Sequence, residues 1–171
     1  VNFDNIIITD IYAAREKNEF NVKPEDIMDE LGKLGKESIH INGFDEIKNV
    51  LREYNEPIAY LLIDVDFFKQ INDVYGHQTG DLVLKRIAKM LSEQFRKSDY
   101  VARVGGDEFA VIMTKFGTSP TEIIKAKIEN MNALLQTVVD SLPAISLSVG
   151  VAFSEEGFVD ELVVQADSAL Y

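Results

Sequence analysis

Carboxylates stand at the ends of two apolar runs. Ile58 to Ile63 is a near-continuous apolar stretch that leads straight into Asp64-Val65-Asp66. Phe109 to Met113 is a second stretch, preceded by Gly105-Gly106-Asp107-Glu108. Carboxylate oxygens are hard ligands that suit Mg²⁺, and Mg²⁺ in turn bridges to phosphate. If the two runs pair as neighbouring strands, Asp64 and Asp107 converge into a two-carboxylate platform for phosphoryl transfer. The simpler alternative is a solvated turn, because Gly and Asp are common turn residues.

The elements that must position these acids are legible from pattern. Tyr100–Val104 and Phe109–Met113 are rich in β-branched and aromatic residues and predict two strands. The glycines between them permit positive φ, so the pair predicts a hairpin with its acids at the tip. Ile58–Asp64 predicts a strand buried on both faces. Helices are predicted over Phe67–Val74, Thr79–Phe95, Thr121–Ser141 and Phe158–Tyr171. Within the second of these, Leu82, Leu84, Ile87, Ala88 and Leu91 are expected inward; within the third, Ile124, Ile128, Met131, Leu134 and Leu135. Asp81 falls in the first turn of its predicted helix, where the dipole alone would favour an acid. Ala144–Phe153 alternates strictly, with Ile145, Leu147 and Val149 on one face and Ser146, Ser148 and Gly150 on the other. His77 beside Gly76 reads as a structural residue, and Arg103 is expected to pair with an acid of the turn.

The 171 residues suffice for one domain with a sizeable core. There is no cysteine, which excludes disulfides and thiolate metal sites and fits a reducing cytoplasm. No apolar run spans a bilayer and no signal-like segment opens the chain. A net charge of −12 repels nucleic-acid backbones, so DNA and RNA are not expected partners. A free nucleotide remains compatible, because a divalent cation can bridge carboxylate and phosphate.

Together, Asp64-Val65-Asp66-Phe67-Phe68-Lys69, Asn72-Asp73, Tyr75-Gly76-His77, Gly80-Asp81, Gly105 to Phe109, Leu147 to Ala152 and Ala166 to Tyr171 resemble the GGDEF domain of diguanylate cyclases. The resemblance covers residues 56–171. It implies an α/β sandwich, with a nucleotidyl-cyclase palm-like, ferredoxin-like central sheet and helices on both faces. It also implies condensation of two GTP into cyclic di-GMP by a homodimer, with two Mg²⁺ or Mn²⁺ per half-site. Asp64, the carbonyl of Val65, Asp107 and Glu108 would hold the metals, with Glu108 alternatively serving as base. Phe67, Phe68, Lys69, Gly105 and Gly106 would lie along the phosphates, while Asn72 and Asp81 would read guanine. Arg96 and Asp99 form an Arg-x-x-Asp separated from Gly105 by five residues. They resemble the family's product-inhibition site, although basic residues at a helix end are also ordinary dipole partners. The family continues past the position of Tyr171 with a lysine and an Arg–Asn that touch the triphosphate, so residues 56–171 read as a domain shortened at its C-terminus.

Residues 1–55 do not open as that family usually does. Strands are predicted at Asn5–Thr9 and Ser38–Ile41, and helices at Pro24–Gly35 and Phe44–Tyr54. This β-α-β-α order is typical of an open parallel layer. The segment resembles the C-terminal domain of UDP-N-acetylmuramate–alanine ligase, which implies a fusion with its junction near Asn55–Pro57; a divergent GGDEF entry segment is the alternative. Three functions therefore stand side by side: an active cyclase, a GTP- or cyclic di-GMP-binding module without turnover, and a chimera whose N-terminal piece is structural.

Overall fold

A computed structural model describes residues 6–9, 38–41, 56–96, 98–117, 119–138 and 142–170. In the first third, β1 (Ile6–Thr9) and β2 (Ser38–Ile41) pair in parallel, with Ile6 opposite Ser38. Both strands fall where the apolar pattern puts them. Parallel neighbours need a crossover connection rather than a hairpin. The two helices predicted there, and most of the residues that resemble the ligase domain, lie outside the described residues.

From residue 58 onward the order is β3 (Ile58–Val65), α1 (Phe68–Tyr75), α2 (His77–Gln94), β4 (Tyr100–Arg103), β5 (Glu108–Thr114), α3 (Pro120–Leu135), β6 (Leu147–Ser154) and α4 (Glu161–Leu170). The strands form one sheet in the order β4-β5-β3-β6, with every neighbouring pair antiparallel. This is the βαββαβ arrangement of ferredoxin-like folds, as the motifs imply. β3 is flanked on both sides, which is why its sequence is apolar at nearly every position.

The period of two then splits the core. Ala59, Leu61, Ile63, Phe109, Val111 and Met113 pack with α2 and α3 on one face. Ile58, Tyr60, Leu62, Ala110 and Ile112 pack with Phe158, Leu162 and Ala166 on the other. Helices therefore cover both faces. Gly150 lets α4 come close, since a Cβ there would collide with the Ala166 carbonyl.

Boundaries and faces differ from the sequence reading in specific ways. α2 starts at His77, because Gly76 turns the chain at φ 84° just before it. Asp81 consequently lies beyond the first turn, and the dipole no longer accounts for it. Val83 and Met90 face the core, while Leu82 and Ala88 are exposed. At 100° per residue, Val83, Leu84, Ile87 and Leu91 make one stripe and Leu82 falls off it. α3 stops at Leu135, and Leu134 is exposed. The chain turns back there, and the Ile145 N–H bonds the Leu135 carbonyl instead of starting β6. Phe158 precedes α4 and packs edge-on against Tyr60, with ring centroids 6.1 Å apart.

Candidate active site

The pairing of β3 with β5 brings the two acidic stretches together. Asp64 stands directly opposite Glu108. Beyond that pair the Val65 N–H donates to the Asp107 carbonyl at 3.3 Å. The return bond, from the Asp107 N–H to the Val65 carbonyl, is absent from the ladder. That carbonyl is thus an acceptor left open beside the acids.

The hairpin tip is built from both glycines, though not through positive φ. Neither Gly105 nor Gly106 adopts a left-handed conformation. Space constrains Gly105 instead. A Cβ on Gly105 would collide with the Glu108 carboxylate, and a Cβ on Gly106 would meet nothing. Gly105 therefore seats Glu108, and Gly106 presents bare backbone. The Glu108 carbonyl closes the loop by accepting from Val104 N at 2.9 Å and Gly105 N at 3.3 Å. Arg103 does not pair with an acid as expected. Its Nε donates to the Gly105 carbonyl at 3.2 Å and its Nη2 to the Gly106 carbonyl at 2.7 Å. The turn offers main-chain oxygens within reach of the guanidinium, leaving the carboxylates to one another.

Burial and the neighbouring charges act together on one acid of the set. Burial, followed by the charges of Asp107, Glu108 and Asp66, pushes the Asp64 carboxyl up to about 6. Among the described residues no group of three or more acidic or imidazole side chains is placed to hold a metal ion by itself. What is present is an open set: partly buried carboxylates and a main-chain carbonyl beside them. Mg²⁺ prefers such a set, because it keeps waters and substrate phosphates in its shell.

The other predicted residues surround this platform. Phe67 is 72% exposed and sits at φ 56°, a strained conformation for a bulky residue. Phe68 packs against the core from the first turn of α1, and Lys69 is exposed. Asn72 lies against Gly80, where a Cβ would collide with its Oδ1. This contact lets α1 and α2 pack closely, and Asp81, the residue after Gly80, is half-buried. Arg96 and Asp99 are at the far end of β4. The Asp99 carboxylate accepts from Arg96 N at 2.9 Å and from Thr114 N at 3.3 Å, while the Arg96 side chain is exposed. One cluster went without a role in the sequence reading. The Asp66 carboxylate accepts from the hydroxyls of both Ser146 and Ser148. The only signal for it was the placement of those serines on the polar face of β6.

The family of diguanylate cyclase GGDEF domains matches residues 28–171. The chain belongs to this family. It is 39% identical over 120 residues to the diguanylate cyclase DosC of Escherichia coli, a match that covers 67% of the chain and 26% of DosC. The matched region thus amounts to about a quarter of that relative. Among solved structures, the chain superimposes on the GGDEF domain of TpbB from Pseudomonas aeruginosa with a TM-score of 0.63 and 33% identity, covering 77% of this chain and 88% of that one. The coiled coil and GGDEF domain of DgcB from Caulobacter crescentus, in complex with c-di-GMP, gives a TM-score of 0.61 at 27% identity, covering 86% and 73%.

Proposed function

We propose that this GGDEF domain condenses two GTP molecules into cyclic di-GMP, releasing two pyrophosphates. The observation that carries the reading is the juxtaposition of Asp64 and Glu108 across β3 and β5, with Asp107 at the tip. Each bond-forming step joins a ribose 3′-oxygen to an α-phosphorus. The 3′ proton is lost and pyrophosphate leaves.

Asp64, Asp107, Glu108 and the Val65 carbonyl would hold divalent cations, two Mg²⁺ or Mn²⁺ per half-site. Bound there, such ions neutralise the triphosphate and favour ionisation of the attacking hydroxyl. Alternatively, Glu108 serves as the base that takes the 3′ proton. Gly106 leaves the backbone bare for phosphate, and Lys69 adds a mobile positive charge. Asp81 accepts from the N1–H and amino group of guanine, a pair adenine does not offer, and Asn72 adds a second polar contact. One half-site holds one GTP, so turnover needs two chains face to face. Arg96 and Asp99 form a remote site for product. Asp99 retains lone pairs beyond its two main-chain bonds, so it can still accept from a guanine edge.

The test is direct. The purified chain is incubated with GTP and Mg²⁺, and cyclic di-GMP is sought by mass spectrometry. Asp107→Ala is expected to abolish product while the far-UV spectrum and unfolding midpoint stay close to the parent's. Undiminished product from that variant would remove Asp107 from the chemistry. Arg96→Ala is expected to raise the product concentration at which turnover stalls.

A further inference from the structure

Asp66 is the acid of the cluster that faces away from the hairpin. Its two carboxylate oxygens are both engaged, by Ser146 Oγ and, at 2.6 Å, by Ser148 Oγ. Hydroxyl-to-carboxylate bonds of this kind are strong and directional. Its main chain is engaged on the same side, since Asp66 N–H donates to the Ser146 carbonyl at 3.1 Å. The serines are themselves held firmly. Leu147 between them is bracketed by the Asn132 amide, which donates to its carbonyl at 3.1 Å and accepts from its N–H at 2.7 Å. A line of contacts therefore runs from α3, through the start of β6, to the end of β3.

That line fixes a direction. No peptide bond among the described residues is cis, and a trans peptide points its N–H and C=O opposite ways. With the Asp66 N–H aimed at β6, the Val65 carbonyl must aim at β5 and the hairpin tip. Ser148 is also the cross-strand partner of Asp64, so the same contacts set the lateral position of that acid.

We propose that Asp66 is a positioning residue, held by Ser146 and Ser148, that orients the Val65 carbonyl and the Asp64 carboxylate for cation binding. The proposal rests on the cyclase reading of the platform. It makes Asp66 a support for the ligands rather than a ligand, since each of its oxygens is turned to a hydroxyl of the β6 side.

The experiment compares Mn²⁺ affinity in the presence of a non-hydrolysable GTP analogue, read from loss of the free-ion EPR signal, with steady-state kinetics on GTP. Asp66→Ala and the double variant Ser146→Ala/Ser148→Ala are expected to weaken Mn²⁺ about tenfold and lower kcat by a similar factor, as loss of outer-sphere support commonly does. KM for GTP should stay close to the parent's. Asp66→Asn should restore most of the affinity, since its amide accepts from one serine and donates to the other. The double-serine variant carries the comparison if alanine at position 66 unfolds the chain. Parent-like affinity in both the alanine and the double-serine variants overturns the proposal. So does an Asp66→Asn variant as impaired as Asp64→Asn, which would make Asp66 a ligand. A parent chain that binds Mn²⁺ without forming cyclic di-GMP would overturn the cyclase reading alone, leaving the affinity comparison intact.

Discussion

At the scale of single residues, the site is assembled from positions that conflict with ordinary stability rules. Phe67 is the clearest case. A left-handed φ costs a non-glycine residue about 1–2 kcal/mol, and an exposed ring recovers little of that through burial. Phe67→Gly should therefore stabilise the fold by about 0.5–1 kcal/mol, the strain relieved minus the larger backbone entropy of glycine. Lys115 is a natural control. It too has a left-handed φ, of 52°, but it follows the end of β5 remote from the hairpin tip. Lys115→Gly is expected to raise the unfolding midpoint without altering turnover, whereas Phe67→Gly should raise the midpoint and slow turnover. Two variants with the same activity would show that the strain at Phe67 serves no function. A lower midpoint for Phe67→Gly would show that its ring contacts outweigh its backbone strain.

At the scale of elements, β3 and β5 carry the site because their apolar faces leave their register no freedom. A slip of one residue would turn Asp64 or Glu108 to the opposite face from its partner and force Leu61 or Val111 into the packing of the other face. This is why strands and acids were readable in the sequence: composition, alternation and glycine placement all point to the same hairpin. What escaped was set by contacts between distant segments. Asp66 meets its serines across the sheet, 80 and 82 residues away. Arg103 finds the Gly105 and Gly106 carbonyls only once the turn is folded. The inward face of α2 was misread at Leu82 and Ala88 because several apolar residues there compete for one stripe. Gly150 illustrates how an element boundary condition can hide in one residue. Its missing Cβ leaves room for backbone of α4, which cannot swing aside as a side chain can. Gly150→Ala should cost about 2–3 kcal/mol, as overpacking against main chain does, and should loosen α4 before the rest of the sheet. Hydrogen exchange would show this as early loss of protection in Glu161–Leu170. Unchanged exchange in that helix would mean the strand yields instead.

At the scale of the whole molecule, the fold gathers negative charge in a chain that already carries −12. The resulting instability has a defined sign. Asp64 has an ordinary value of 3.8 and a folded value of about 6. Below about pH 4 its carboxyl is protonated in both states and costs nothing. Between pH 4 and 6 the unfolded chain releases that proton while the folded chain retains it, so stability falls as pH rises. Above about pH 7 both states are ionised and the loss is complete. After allowance for solvent screening at a half-exposed group, the loss is about 1 kcal/mol. Asp64→Asn should therefore raise the unfolding midpoint at pH 7.5 by a few degrees, and the gain over the parent should vanish by pH 4. Comparing the two proteins isolates Asp64 from every other carboxylate, since those titrate in both. On the proposed reading Mg²⁺ binds at these acids, so it should raise the parent's midpoint at pH 7.5, do far less at pH 4.5, and do less for Asp64→Asn at either pH. If the difference between parent and variant does not change from pH 4 to 7.5, the acids of β3 and β5 do not share one electrostatic environment, and the platform on which the cyclase reading rests is not formed in solution.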